Sequence, residues 1–123
     1  MTKVLGLGGV FVKTADPDAW RAWYRDVLGV RFEDFGAATF AHPESGLTTL
    51  SPFPLDTDYF QPSEAPFMIN LIVDDLDGIL AMAKAEGVEP TGRQDEPYGA
   101  FAWLIDPAGV KVELWQPIGA SPA

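Results

Sequence analysis

Asp16-Pro17-Asp18-Ala19-Trp20-Arg21-Ala22-Trp23-Tyr24-Arg25-Asp26-Val27-Leu28-Gly29-Val30 reads as one helix with both ends written into it. Aspartate is a capping residue, proline suits a first turn, and glycine accepts the left-handed backbone that stops a helix. Trp20, Trp23, Tyr24, Val27 and Leu28 recur at i, i+3, i+4, i+7 and i+8, which makes one buried face. The pattern returns downstream. Asp75-Leu76-Asp77 opens a second run with the stripe Leu76, Ile79, Leu80 and Ala83, and Glu86-Gly87-Val88 closes it. The offset is 59 residues from Asp16 to Asp75 and 58 from Val30 to Val88. A repeat of this length predicts two similar supersecondary units packed together, because each alone leaves an apolar face uncovered. A cavity between two such units is the default place to look for function.

Strand signals surround both helices. In the first unit they are Val4–Val12, with glycines at 6, 8 and 9, then 30–35, 37–41 and 47–50. His42-Pro43-Glu44-Ser45-Gly46 is a turn-like cluster between the last two. The stretch 51–66, with prolines at 52, 54, 62 and 66, reads as a linker. The second unit shows strands at Phe67–Val73 and, more weakly because of Pro90, at Val88–Arg93. Tyr98–Ile105, the turn Asp106-Pro107-Ala108-Gly109 and Val110–Trp115 form a hairpin. Each unit is therefore expected to be strand-helix-strand-strand-strand, an α+β fold of two βαβββ modules. Residues 1–123 form one domain: module one 1–52, linker 53–66, module two 67–117 and tail 118–123.

Alternation along the strands separates two surfaces. Val110, Val112 and Leu114 are uniformly apolar, while Lys111, Glu113 and Trp115 point the other way. Phe67, Ile69, Leu71 and Val73 share one face of their strand; Met68, Asn70 and Ile72 share the other. The smooth faces are seats for the helices. The mixed faces then line the concave side if the sheets curl.

Bulk properties narrow the function. Eighteen acidic against eight basic residues give a net charge of −10, which argues against nucleic acid and anionic membrane surfaces. There is no cysteine for a disulfide, a thiolate metal site or a thiol nucleophile. Met1 to Gly6 lacks a signal-peptide pattern and no apolar run reaches spanning length, so a cytoplasmic protein is expected. Gly6-Leu7-Gly8-Gly9 lies within a strand and cradles no phosphate, and the aspartate clusters lack calcium-loop spacing. Those aspartates read as helix starts. Trp20, Trp23 and Tyr24 read as core or dimer contacts.

Three segments in order carry a resemblance: Trp23-Tyr24-Arg25-Asp26-Val27-Leu28-Gly29, Val73-Asp74-Asp75-Leu76-Asp77, and Asp106-Pro107-Ala108-Gly109-Val110-Lys111-Val112-Glu113-Leu114. The chain resembles the vicinal oxygen chelate superfamily, which includes glyoxalase I, bleomycin-resistance proteins, fosfomycin-resistance enzymes and extradiol dioxygenases. The resemblance implies a glyoxalase/bleomycin-resistance fold: paired βαβββ modules forming a cupped sheet, often completed by dimerisation. The cup closes either within one chain or across a homodimer.

The resemblance also implies four metal-ligand positions, at or near Gly9, at Thr49 or Leu50, at Met68 and at Glu113. Only Glu113 bears a competent ligand, since glycine has no side chain and a thioether is too soft for the hard ions concerned. His42 matches a turn position, not a ligand position. No cofactor is therefore predicted, although a divalent metal held in another way stays open. Phe11, Met68, Asn70, Ile72, Phe101, Trp103 and Trp115 are the expected pocket, suited to planar or hydrophobic small molecules.

Two readings of function follow. One is a metal-independent protein of the bleomycin-resistance type that binds a small, partly aromatic molecule. The other is a lyase- or dioxygenase-type enzyme that uses Glu113 as base or metal ligand. Glu113 is also open to pairing with Lys111 or to anchoring a ligand by a hydrogen bond. In a blander variant the pocket is filled by its own side chains, Met68 among them. Partners are expected to be a small molecule and a second copy of the chain.

Overall fold

The computed structural model describes residues 2–3, 7–41 and 47–118. Residues 4–6 of the first expected strand, and His42 with its turn cluster, lie outside the described residues.

Helix α1 spans Pro17–Leu28 and is capped as its sequence dictates. The Asp16 carboxylate accepts from Ala19 N–H at 3.1 Å. At the other end Gly29 adopts φ +70°, so that its own N–H reaches Arg25 C=O and Val30 N–H reaches Tyr24 C=O, each at 3.0 Å. Helix α2, Leu76–Ala85, begins in the same way, with Asp75 accepting from Gly78 N–H at 3.1 Å.

The strands are β1 Met68–Ile72, β2 Gly92–Glu96, β3 Gly99–Ile105 and β4 Lys111–Pro117. They form one mixed sheet of order β1-β4-β3-β2, in which β1 runs parallel to β4 and the other pairs are antiparallel. This is the expected α+β arrangement. The second strand of module two sits later than the expected Val88–Arg93. Its residues, Gly92-Arg93-Gln94-Asp95-Glu96, carry no apolar alternation, because an edge strand is held by its ladder to β3 and faces water.

Both helices serve one face of the sheet. Leu76 and Ala83 of α2 and Tyr24, Val27 and Leu28 of α1 share a core with Ala102, Leu104, Val112 and Leu114. Leu76, Leu104, Val112 and Leu114 are fully buried. The parity derived from β4 therefore holds: its even residues are core, its odd residues line the opposite face.

Asp106 fastens this core to the β3–β4 turn. Its Oδ1 accepts the N–H groups of Ala108 at 2.8 Å and Val110 at 3.0 Å. Its Oδ2 accepts Tyr24 O–H at 2.7 Å and Trp20 Nε1–H at 3.3 Å. Burial first, then the neighbouring Asp106, push the Tyr24 phenol far above its ordinary value of about 10. A raised folded-state pKa means that folded Tyr24 keeps its proton above pH 10 while the unfolded chain releases one, so stability falls as pH rises. We expect thermal melts to decline beyond about pH 10, and the Tyr24→Phe variant to decline less steeply. Parallel slopes for the two proteins would remove Tyr24 as the cause.

Before Met68 the described residues contain a helix and no strand. Strands were expected at 4–12, 30–35, 37–41 and 47–50. The side chains that would anchor them are turned out: Val10 is 52% exposed, Phe11 94%, Leu47 88% and Leu50 88%. The reason is one of partners. A strand needs a ladder and a surface to cover, and the helix side of the only sheet among the described residues is already occupied by α1 and α2.

Candidate functional site

The face opposite the helices assembles from three cross-strand rows. Register places Met68, Lys111 and Ile105 in one row. Asn70, Glu113, Trp103 and Gly92 form the next, and Ile72, Trp115, Phe101 and Gln94 the third. Six of the seven expected pocket residues are thereby gathered on one surface. Phe11 is not among them; at 94% exposure it stands in solvent, its ring against Gly9.

Three rings of the site are near-parallel. Phe101 stacks on Trp115 with centroids 6.0 Å apart and an interplanar angle of 0°, and on Trp103 at 6.5 Å and 11°. Gly92 opens the space beside Trp103, since a Cβ there would lie 3.4 Å from the indole. Gly99 does the same for Trp115, whose Nε1 would sit 2.9 Å from a Cβ at position 99. That Nε1–H is the one buried side-chain polar atom without a partner among the described residues.

Glu113, 7% exposed, lies at the centre of the polar row. Asn70 donates from Nδ2 to Oε1 at 2.8 Å, and Trp103 donates from Nε1 to Oε2 at 2.8 Å. Tyr59 O–H also donates to Oε2. Burial first, then this bond, push the Tyr59 phenol up to about 12, so it remains a donor throughout the neutral range. The pairing of Glu113 with Lys111 does not occur. Lys111 Nζ instead donates to Tyr59 C=O at 2.7 Å and stands 5.3 Å and 5.4 Å from the Tyr59 and Trp103 ring centres. Burial holds its ammonium below the usual lysine range, against the opposing pull of Glu113 and Asp58.

Tyr59 is absent from the expected site, and Lys111 enters it only as a partner for Glu113, whereas in the fold it bonds Tyr59. Lys111 had a usable signal, its parity with Glu113. Tyr59 had none, because nothing in a proline-rich stretch says where an aromatic ring will land.

The residues do not suit the metal that the fold resemblance implies. Both Glu113 oxygens receive N–H or O–H protons, Met68 offers a thioether, and Gly9 offers nothing. Thr49 is exposed, and no group of three His, Cys, Asp or Glu residues converges among the described residues. A groove of about 820 Å³ lies elsewhere, beside α1 and residues 29–36. Arg21, Arg25 and Arg31 are balanced there by Asp18, Glu33 and Asp34, and none of the expected site residues reaches it.

Comparison with known proteins agrees with this architecture. A family model described as a glyoxalase-like domain matches residues 9–115. A protein from the mobile metagenome of V. pseudocholerae is 21% identical, with 94% of this chain and 97% of that one covered and a TM-score of 0.62. An integron cassette protein of V. cholerae is 22% identical, with 94% and 98% covered and a TM-score of 0.61. TnmS3, an antibiotic binding protein from Streptomyces sp. CB03234, is 23% identical, with 86% and 90% covered and a TM-score of 0.55. At these identities the likeness is one of fold. Among curated proteins no match was found.

Proposed function

Because the chain belongs to the glyoxalase-like domain family, within the vicinal oxygen chelate superfamily, we propose that it binds a small, partly aromatic molecule on the mixed face of its sheet. Binding needs no metal, and a second copy of the chain completes the pocket. The observation that carries this reading is the trio of near-parallel rings, Trp103, Phe101 and Trp115, set beside a buried carboxylate on the sheet face away from the helices. Parallel aromatic planes offer a stacking surface to a flat ligand, and a few placed polar groups orient it. One structural neighbour, TnmS3, is an antibiotic binding protein, so the fold serves such a role elsewhere.

Glu113 suits an anchor better than a base. A base needs a free lone pair aimed at the proton it takes, and three donors already converge on this carboxylate. The test pairs metal content of the protein, purified without chelator, with thermal-shift titrations of divalent ions and of proflavine, a planar cationic acridine. We expect no stoichiometric metal, no shift with Mn²⁺, Ni²⁺ or Zn²⁺, and a rise in melting temperature with the dye. A metal-dependent rise would overturn the reading in favour of a metalloenzyme.

The second copy is argued from the first module. Phe11, Phe40, Leu47 and Leu50 are each more than 70% exposed in the single chain, while among the described residues the sheet's edge strands, β1 and β2, have no outer partner. Each such side chain gains about 1.5–3 kcal/mol when fully buried, which drives a second chain onto these segments. Sedimentation is expected to show a dimer, and Leu47→Asp with Leu50→Asp to shift it toward monomer. A wild-type monomer at tens of micromolar would exclude the shared pocket. Described residues contain no helix long and apolar enough to cross a membrane. A chain without cysteine needs no oxidising compartment, which fits action in the cytoplasm.

A further inference from the structure

Residues 53–63 cross the mixed face and are tied to it by side chains alone. Their backbone hydrogen bonds close turns within the segment: Thr57 N–H to Pro54 C=O at 3.0 Å, Gln61 N–H to Asp58 C=O at 3.1 Å, and Ser63 N–H to Phe60 C=O at 2.9 Å. Among the described residues no backbone–backbone hydrogen bond joins the segment to a strand. Three polar links hold it down: Tyr59 O–H on Glu113, Lys111 Nζ on Tyr59 C=O at 2.7 Å, and Ser63 Oγ on Gly109 C=O at 2.5 Å. Apolar contact adds Phe53 stacked on Tyr59 at 5.5 Å and Tyr59 edge-on to Trp103 at 6.2 Å. Phe53 remains 45% exposed and Tyr59 38%. A segment held at its rim by a few side chains, with no ladder, belongs to the part of a protein that opens first.

The donors on Glu113 differ in how they are held. Asn70 stands on β1 and Trp103 on β3, so both stay with the sheet. Tyr59 alone comes from residues 53–63, and its departure frees an acceptor position on a carboxylate flanked by aromatic planes. We propose that the Tyr59 hydroxyl is an internal stand-in for the ligand. An aromatic molecule bearing an N–H or O–H donor enters by taking its place on Glu113 and lifting residues 53–63. This deepens the reading above and rests on it for the location of the ligand. It makes Tyr59 a determinant of specificity: molecules that cannot replace its hydrogen bond leave a buried carboxylate short of a donor and are rejected.

Hydrogen exchange and dye binding on the wild type and on Tyr59→Phe test it. The variant keeps the ring and removes only the hydroxyl. Exchange at the Gln61 and Ser63 amides is expected to quicken by about tenfold or more, while β3 amides are unaffected. Proflavine is expected to bind the variant several-fold more tightly, because the closed state no longer competes. In the wild type, saturating dye should itself quicken exchange at Gln61 and Ser63. Unchanged exchange in the variant, or dye binding that leaves wild-type exchange unaltered, overturns the stand-in. If neither protein binds the dye, the location of the ligand is refuted separately, and the Tyr59→Phe exchange rates still decide whether the hydroxyl is the latch.

Discussion

Asp106→Ala is expected to cost about 3–5 kcal/mol of folding stability, the largest effect of any single polar substitution in this chain. Asp106 is 4% exposed and satisfies four donors at once. Alanine leaves the Tyr24 hydroxyl and the Ala108 and Val110 N–H groups without their acceptor, and unpins Trp20 at the same stroke. Two of those donors belong to α1 and two to the β3–β4 turn, so the substitution unfastens the helix layer from the sheet. For a chain of this size the loss corresponds to a fall in melting temperature of roughly 10–20 °C. Asp106→Asn separates the two halves of the role. Its carbonyl still serves the turn, but its amide faces the donor-only Trp20 Nε1–H and obliges the Tyr24 hydroxyl to turn and accept, so about half of the loss should remain. Urea unfolding of both variants is the measurement. A loss below about 1 kcal/mol in the alanine variant would show that water replaces the carboxylate and that the junction is not what joins α1 to the sheet.

Where local chemistry decides, the sequence was enough to find the structure. Aspartate caps at 16 and 75, the stop at Gly29 and the Asp106–Gly109 turn are each set by residues within a few positions of one another. Strand parity was equally legible, because a period of two sorts Val112 and Leu114 from Glu113 and Trp115 without knowledge of any neighbour. Two kinds of feature were not. The edge strand β2 was displaced toward residues with no hydrophobic signal, since pairing with β3 fixes it. The first module shows the converse: 30–41 and 47–50 have strand-like composition, but composition cannot supply a ladder.

The candidate site divides along the same line. Met68, Asn70, Ile72, Phe101, Trp103, Glu113 and Trp115 converge because parity and register place them on one face. The convergence of Asn70 and Trp103 on Glu113 follows from their sharing a row across three strands. Tyr59 reaches the same carboxylate from 54 positions upstream, and only tertiary packing brings it there. Phe11 fails to arrive for the reason that its module has no strands among the described residues, and none of those residues holds it against the sheet.

Phe101→Ala is expected to weaken binding of a planar ligand such as proflavine by about a hundredfold, the largest functional effect at this site. Phe101 is the middle ring of the three, so its loss separates Trp103 from Trp115 and breaks the stacking surface at its centre. Alanine also removes half-buried apolar area, which makes a second substitution necessary. Phe101→Leu retains most of that area and discards the aromatic plane. If stacking is what the site offers, the leucine variant folds with a melting temperature within a few degrees of wild type, yet binds about tenfold more weakly. Fluorescence titration gives the affinities. Near-UV circular dichroism gives an independent readout, because rings fixed in parallel couple optically and the signal should fall in both variants. Leucine binding as tightly as phenylalanine would mean that the site supplies apolar area alone. Flat ligands would then have no advantage over other hydrophobic molecules of similar size, and the near-parallel rings would be a consequence of packing across neighbouring strands.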